Sequence, residues 1–491
     1  MDGPAPTTDP AALFHLGCTL FENGETDAAI EAYRRSLALA PGNAGTCYNL
    51  GNAFLTAGRA VEAVDSFLVC LRTAPGFGAA YVNLSEALRR LGVLEDARWA
   101  AEQGVKHLPE VPEARIALAN VLHDKAEYAA AAGIYRSILA HAPNRAGVLS
   151  NLGSTLHAMG RLPEALAAHD RAVALAPGVP DFHFGRATTR LAAGDYGRGW
   201  AEYEWRWQRT QARARGFGEA WRGRDITRRT ILLHAEQGLG DTLQFVRYAP
   251  LVAERGARVV LEVQAPLVRL VRKLSGVAEV VARGDPLPPF DTHCPLLSLP
   301  LAFGTELATI PSTVPYLDAD PAAISTWDAQ LPRDGLRVGL VWAGSPHHDD
   351  AGAQVIDRRR SMSLAELAPL AGVPNVRFVS LQREVPARPD GMFPLIDLMA
   401  RVTDLADTAA LIGSLDLVVS VDTSVAHLAA AIGKPVWLLS RFDGCWRWLH
   451  GRRDSPWYPG MRIYRQDRPH DWRSVVAQVV VDLTSVARGR A

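Results

Sequence analysis

The chain has 491 residues, 52 Lys+Arg against 52 Asp+Glu, and 48% hydrophobic residues. At about 150 residues per domain this length predicts roughly three globular units, and the apolar content excludes a disordered chain. Zero net charge removes the electrostatic case for a general nucleic-acid binder, which needs a basic footprint to release counterions.

Four of the cations are lysines (Lys106, Lys125, Lys273, Lys434) and the rest are arginines, which reads as a GC-rich bacterial coding habit. The five cysteines, Cys18, Cys47, Cys70, Cys294 and Cys445, form no CxxC pair and fit no zinc spacing. Free thiols and no metal site are expected. The opening MDGPAPTTDP has neither the basic nor the apolar region of a secretory signal. No apolar stretch reaches the ~18 residues of a membrane span. A cytoplasmic protein is expected.

The first half keeps a 34-residue period. Glycine recurs at Gly24, Gly58, Gly92, Gly160 and Gly194, with Ala126 on the missing beat. Proline recurs at Pro41, Pro75, Pro109, Pro143 and Pro177, and leucine at Leu16, Leu50, Leu84, Leu118 and Leu152. Three markers on one period predict an all-α solenoid of helix pairs. Glycine takes the left-handed turn between helices, and proline stops the second helix. Ala29, Ala63, Ala97, Ala131 and Ala165 fall where two helices must approach closely. Period and marker order match the tetratricopeptide repeat: five units from about 10 to 179, then a degraded sixth. The repeat domain is expected over 1–205. The last helix carries Trp200, Tyr203 and Trp207 along one side, as a cap docked on the next domain or as a ligand-stacking surface.

Asn49, Asn83 and Asn151 share one repeat position, interrupted by His15 and Ala117. In this repeat that position faces the concave groove, where an amide can both donate to and accept from a peptide backbone. The row resembles the peptide-gripping asparagines of the eukaryotic O-linked N-acetylglucosamine transferase. The alternative is pairing of amides between neighbouring repeats.

Residues 206–229 hold eight arginines against Glu219 and Asp225, a solvated basic linker or a patch for a phosphate or acidic partner. Beyond it, short β-rich runs alternate with helical ones: Thr230–His234, Arg258–Val263, Arg337–Trp342, Val376–Leu381, Leu417–Val421 and Val436–Leu439. That alternation predicts parallel sheets in two Rossmann-like lobes, 230–318 and 336–470. A hinge is expected at 319–335 and a last helix within 471–491. Ligands of such sheets bind beyond the C-terminal strand ends.

The first such loop is His234-Ala-Glu-Gln-Gly-Leu-Gly-Asp-Thr242. Gly238 and Gly240 permit a sharp turn and close approach to a ligand. A dinucleotide fingerprint needs a third glycine, where Leu243 stands, although Glu262 follows at a suitable distance. Asp241 is either a helix cap or a carboxylate able to deprotonate an attacking hydroxyl. The second loop is Ser420-Val-Asp-Thr-Ser-Val-Ala-His427. Its helix N-terminus offers free N–H groups to a phosphate, with hydroxyls from Thr423 and Ser424. Asp422 reads equally as an N-cap, and His427 as a satisfied core histidine. The aromatic runs Cys445–Leu449 and Ser455–Pro459 suit either base stacking or core packing.

GLGDT after a first strand, with VDTSVAHLAAAIGKPVWLL near the C-terminus, resembles the heptosyltransferase-type family of GT-B glycosyltransferases over about 230–470. The whole architecture resembles bacterial tetratricopeptide-repeat glycosyltransferases, flagellin glycosyltransferases among them. The resemblance implies a GT-B fold, a nucleotide-sugar co-substrate with no separate cofactor, and Asp241 as catalytic base. It implies donor binding by Asp422, Thr423 and His427, with Ser424 replacing the family's glycine. It aligns Gly344-Ser345 with a donor-phosphate loop. The family's phosphate-binding lysine is absent, and Arg360, of Arg358, Arg359 and Arg360, takes its place. The inserted His347-His348-Asp349-Asp350 reads as a solvated loop ahead of a metal site. The implied reaction is an inverting, metal-independent transfer to a Ser/Thr hydroxyl of a protein docked by the repeats, with flagellin one candidate. The alternatives are a non-catalytic peptide-binding scaffold with a degenerate GT-B domain, and a transferase acting on free or lipid-linked glycan.

Overall fold

A computed structural model describes residues 9–209, 215–345, 351–383 and 393–489, with side chains omitted at 351–353. Twelve helices open the chain as six pairs. The pairs are Pro10–Glu22 with Thr26–Leu39, Ala44–Thr56 with Ala60–Thr73, Gly78–Arg90 with Leu94–His107, and Pro112–Asp124 with Tyr128–His141. Ala146–Ala158 with Leu162–Leu175 and Pro180–Ala192 with Tyr196–Tyr203 complete them. The 34-residue markers do what their chemistry dictates. Gly24, Gly58, Gly92, Gly160 and Gly194 have φ of 72–82°, and Ala126 adopts the same left-handed turn at φ 61°. Each second helix ends two residues before its proline. Ala29, Ala63, Ala97, Ala131 and Ala165 are fully buried.

The α/β part holds two wholly parallel sheets. β1 (Thr230–His234), β2 (Arg258–Val263), β3 (Val277–Ala282) and β4 (Thr292–Pro295) form one, in the order β3-β2-β1-β4. β5 (Leu336–Val341), β6 (Val376–Ser380), β7 (Leu395–Asp397), β8 (Leu417–Val421), β9 (Val436–Ser440) and β10 (Met461–Arg465) form the other, in the order β10-β9-β8-β5-β6-β7. β8 and β9 are buried at every residue, as a parallel strand covered on both faces requires. Two apolar cores flank the second sheet, one containing Val418, Val436 and Leu438, the other Val419, Trp437 and Leu439. The C-terminal helix Trp472–Arg488 packs in the second of these. Strand order reverses at β1/β4 in the first sheet and at β5/β8 in the second, which is where such sheets open a ligand crevice.

The chain packs as two compact units, one up to Leu156 and one from His157 onward. The capping helix Tyr196–Tyr203 is core to the second unit. Its Trp200 ring lies 6.1 Å from Phe245 and 5.3 Å from Trp446, and Tyr196 Oη accepts from Trp457 Nε1 at 3.1 Å. Trp200 and Tyr203 are buried, so this side of the helix is a docking face and presents no stacking surface.

Within 206–229 most described residues are exposed, and Arg206, Trp221 and Ile226 are the buried anchors. Arg206 is buried, with Nη1 2.5 Å from Glu204 Oε1, Nε 2.9 Å from Glu236 Oε2 and Nη2 2.8 Å from Ser298 Oγ. Trp221 is buried, and its N–H donates to His293 O at 2.7 Å beside β4. The expected hinge at 319–335 contains a helix, Pro321–Asp328, capped by Asp320 through N–H bonds from Ala322 and Ala323.

Candidate functional site in the cleft of the second unit

The loop after β1 leads into the helix Leu239–Phe245. Gly238 is the N-cap and Asp241 sits at the third position, where its Oδ2 accepts the Gly238 N–H at 3.0 Å. Gly238 and Gly240 have no left-handed backbone, so a sharp turn is not why glycine stands there. At Gly240 the reason is space: a Cβ would lie 3.0 Å from His427 Cδ2 and 3.6 Å from Ser424 Cα. The two loops singled out in the sequence, 186 residues apart at Asp241 and His427, thus meet across the cleft.

Asp241 Oδ1 is ion-paired with Arg447 Nη2. Arg447 also donates to Gln244 Oε1 (2.8 Å) and Cys445 Sγ (3.1 Å), and its guanidinium lies 4.3 Å over the Trp446 ring. Burial opposes its charge, but Asp241 together with Cys445 and Tyr203 outweighs that and holds it above its ordinary value.

The loop after β8 runs into the helix Ser424–Ala431, with Thr423 as N-cap in place of Asp422. Thr423 Oγ1 lies 3.1 Å from Ser420 Oγ. The first-turn N–H groups of this helix have no carbonyl of their own. His427 is buried, which pushes its imidazole down to about 4, so at neutral pH it is an uncharged hydrogen-bonding group. Its Nδ1 lies 2.9 Å from Tyr458 Oη, and its ring is stacked 5.2 Å from Trp448. Tyr316 Oη donates to Leu243 O at 2.8 Å and accepts from Arg247 Nη2 at 2.9 Å. Tyr458 Oη also lies 3.4 Å from Tyr316 Oη.

Gly344 donates its N–H to Ser361 Oγ at 3.0 Å, and a Cβ there would collide with Asp357 and Arg360. Ser345 is exposed. Of the three arginines, Arg358 is exposed and Arg359 is buried against Asp443 at 2.9 Å. Arg360 donates to the Asp422 carbonyl at 3.1 Å and pairs with Asp357 at 2.9 Å. His347, His348, Asp349 and Asp350 lie outside the described residues. Among the described residues no group of three or more His, Cys, Asp or Glu is placed to hold a metal ion.

Sequence reasoning missed Arg447, Tyr458 and Arg465. The first two lie in the aromatic runs, whose Trp446, Trp448, Trp457 and Tyr458 are buried and pack as core. The asparagines belong to the first unit. Asn83 Nδ2 donates to Asn52 Oδ1 (2.6 Å) and Asn151 Nδ2 to Asn120 Oδ1 (3.0 Å), while Asn49 Nδ2 reaches Cys18 Sγ at 3.5 Å. Each amide nitrogen thus makes a contact to the neighbouring repeat, as the alternative of pairing between repeats has it.

Residues 14–77, 82–146 and 145–176 match the tetratricopeptide repeat. Residues 389–439 match glycosyltransferase family 9 (heptosyltransferase), a span that includes Asp422–His427. Protein FlbA of Caulobacter vibrioides is 27% identical over 510 residues, covering 95% of this chain and 83% of its own. A tetratricopeptide-repeat protein of Thermus thermophilus is 25% identical over 37% of this chain and 99% of its own, at a TM-score of 0.33. The APC/C hetero-tetramer Cut9–Hcn1 contains a chain 15% identical over 41% of this one and 40% of that one, at a TM-score of 0.38. No helix among the described residues is long and apolar enough to cross a membrane.

Proposed function

We propose, from a chain that joins tetratricopeptide repeats to a glycosyltransferase family 9 segment, that it moves a sugar from a nucleotide-sugar donor to a Ser/Thr hydroxyl of a protein held by the repeats. The observation that carries this is the packing of Gly240, the neighbour of Asp241, against His427 and Ser424 of the other lobe, at the C-terminal strand ends where such folds react. Asp241 takes the proton of the acceptor hydroxyl. The hydroxyl oxygen attacks the anomeric carbon, inverting it. The bond from that carbon to the diphosphate oxygen breaks, and the electron pair leaves with the diphosphate. Arg360 and the first turn of Ser424–Ala431 meet the developing charge, without a metal in the reading, and neutral His427 donates a hydrogen bond. Ser424 keeps the N–H of the family's glycine and adds a hydroxyl.

A general base in this role supplies about 10²–10⁴-fold. Asp241→Asn therefore abolishes most transfer while nucleotide-sugar binding, read as a rise in melting temperature, persists. Full transfer by a folded Asp241→Asn protein removes the base from the mechanism. One observation favours the non-catalytic reading: both Asp241 oxygens already have partners. Donor binding with neither transfer nor donor hydrolysis in the wild type would establish it.

A further inference from the structure

Four guanidiniums gather where β8, β9 and β10 end. Arg360 has Asp357, and Arg359 and Arg441 share Asp443 at 2.9 and 3.1 Å. Among the described residues Arg465 has no carboxylate within ion-pair distance. It is the last residue of β10, in register with Ser440 of β9. It follows Met461 and Ile463 on the face whose core also holds Ala426 and Leu428 of the Ser424–Ala431 helix. Its Nη2 donates to Leu449 O at 2.6 Å and Trp448 O at 3.3 Å, and its Nη1 lies 3.4 Å from His450 Nδ1. Its Nε is buried and has no partner.

The surroundings point towards the donor loop. Trp448, whose carbonyl Arg465 holds, stacks on His427. Leu449, the other carbonyl, adopts φ 50°, a backbone that disfavours any residue but glycine. Burial without an acid pushes the Arg465 guanidinium below its ordinary value, against the pull of Asp422. A half-buried guanidinium whose Nε is closed off from water, facing only carbonyls and a neutral ring, lacks a counter-charge for that desolvation. A guanidinium is also a poor choice if two carbonyls were all it had to bind, because a neutral amide serves them without the burden of a charge.

We infer that Arg465 is an anion-binding side chain of the donor cleft, taking a phosphate of a nucleoside diphosphate beside Asp422 and Arg360. The inference rests on the donor reading above and gives the missing phosphate-binding lysine a second arginine in its place. The bound phosphate supplies the counter-charge that the folded chain does not.

Calorimetric titration of the full chain with inorganic pyrophosphate tests this, using wild type, Arg465→Gln and Arg465→Lys. The wild type binds, and Arg465→Gln weakens binding by roughly ten- to a hundred-fold, the worth of a hydrogen bond to a charged group. Arg465→Lys falls between them, since it keeps the charge and loses the fork. Without pyrophosphate, Arg465→Gln melts no lower than wild type, because a half-buried charge with no acid beside it has been removed. Unchanged pyrophosphate affinity in Arg465→Gln, or lowered melting in both variants with affinity intact, overturns the inference while nucleotide-sugar binding still upholds the donor reading. A wild type that binds no pyrophosphate also overturns it, and loss of nucleotide-sugar binding as well sinks both. If Arg465→Gln does not fold, Arg465→Lys decides: weaker binding at unchanged melting temperature supports the assignment, and unchanged binding refutes it.

Discussion

The first unit buries hydroxyls where the second buries charges. Among the described residues up to Leu156, every buried polar side chain is a serine or threonine: Ser36, Thr46, Ser66, Ser85, Ser150 and Thr155. Beyond it, Glu202, Arg206, Arg247, Glu262 and Arg359 are buried. The partners differ in reach as well. Ser66 donates to the carbonyl four residues back, and Thr155 does the same. Arg206 reaches Ser298, 92 residues away, and Arg247 reaches the Trp457 carbonyl, 210 away. A solenoid closes its polar bonds locally and can be added to one repeat at a time. The α/β unit depends on charges that only the complete fold brings together, so its stability responds far more to what changes charge.

Acid gives the largest such response. Burial pushes five histidines down, His157 and His234 to about 3 and His169, His427 and His450 to about 4. All five lie in the second unit. An unfolded histidine titrates near ~6.5. Between that value and the folded ones the unfolded chain binds more protons, so stability falls as pH drops from about 6.5 towards 4 and levels off below. Each histidine contributes up to roughly 3 kcal/mol, and five together rival the ~5–15 kcal/mol that holds a whole domain. Of the twelve tryptophans, Trp99 alone precedes residue 157. Tryptophan fluorescence therefore reports the second unit, and far-UV circular dichroism weighs the repeats. Between pH 7 and 4 the fluorescence transition comes first, with much helix signal left. A single coincident transition would break the contrast between the units.

Arg206→Met sharpens it next. The substitution leaves Glu204 and Glu236 buried without their cation, and burial already holds the Glu236 carboxyl above its ordinary value. Breaking one side of a buried ion network costs about 3–5 kcal/mol. In guanidinium titrations the fluorescence midpoint falls by that equivalent. Adding Glu236→Gln returns part of the loss, because the stranded charge is gone. A change below about 1 kcal/mol, the worth of a surface pair, would mean that Arg206 is solvated in solution.

These two tests fall where the sequence was least legible, and for one reason. Gly58, Pro75 and Ala63 could be read from the repeat because each acts within its own turn or its neighbouring helix. Asp241 and Asp422–His427 could be read because a strand, a loop and a helix start follow one another in the chain. Arg447 could not, because its meaning is Asp241, 206 residues earlier. Among the described 206–229 arginines Arg206 alone is buried, and it could not be told from the exposed ones because the acids that pair with it include Glu236, outside the segment. β3, β4, β7 and β10 lacked the long apolar runs that marked β1, β2, β5, β6, β8 and β9. The hinge hid a helix whose Asp320-Pro321 start follows the ordinary capping pattern.

Ala126 offers a smaller test inside the repeats. It occupies the turn position that glycine fills in five other units, with the same sign of φ. A left-handed turn disfavours alanine by roughly 1 kcal/mol. Ala126→Gly raises the stability of the array by that amount at most, seen in circular dichroism. The gain is below the full conformational term, since glycine also loosens the unfolded chain. Destabilisation would mean that the Ala126 methyl, 8% exposed, packs for more than its backbone strain costs.

The smallest effect is at the asparagine row, and it decides what the row does. Asn120 Oδ1 accepts from Asn151 Nδ2 at 3.0 Å and from Tyr135 Oη at 2.6 Å. Asn151→Ala therefore removes one donor from an oxygen that keeps another, and the half-buried site exposes the rest to water. The cost is about 0.5–1 kcal/mol, within the range of a single neutral hydrogen bond. Asn120→Ala in the Asn151→Ala background then costs less than it does alone, because the shared bond is already gone. That coupling marks a tie between repeats. Strictly additive effects, with a peptide ligand lost in Asn151→Ala alone, would return the side chain to the groove and remove the polar tie from the first unit's local pattern.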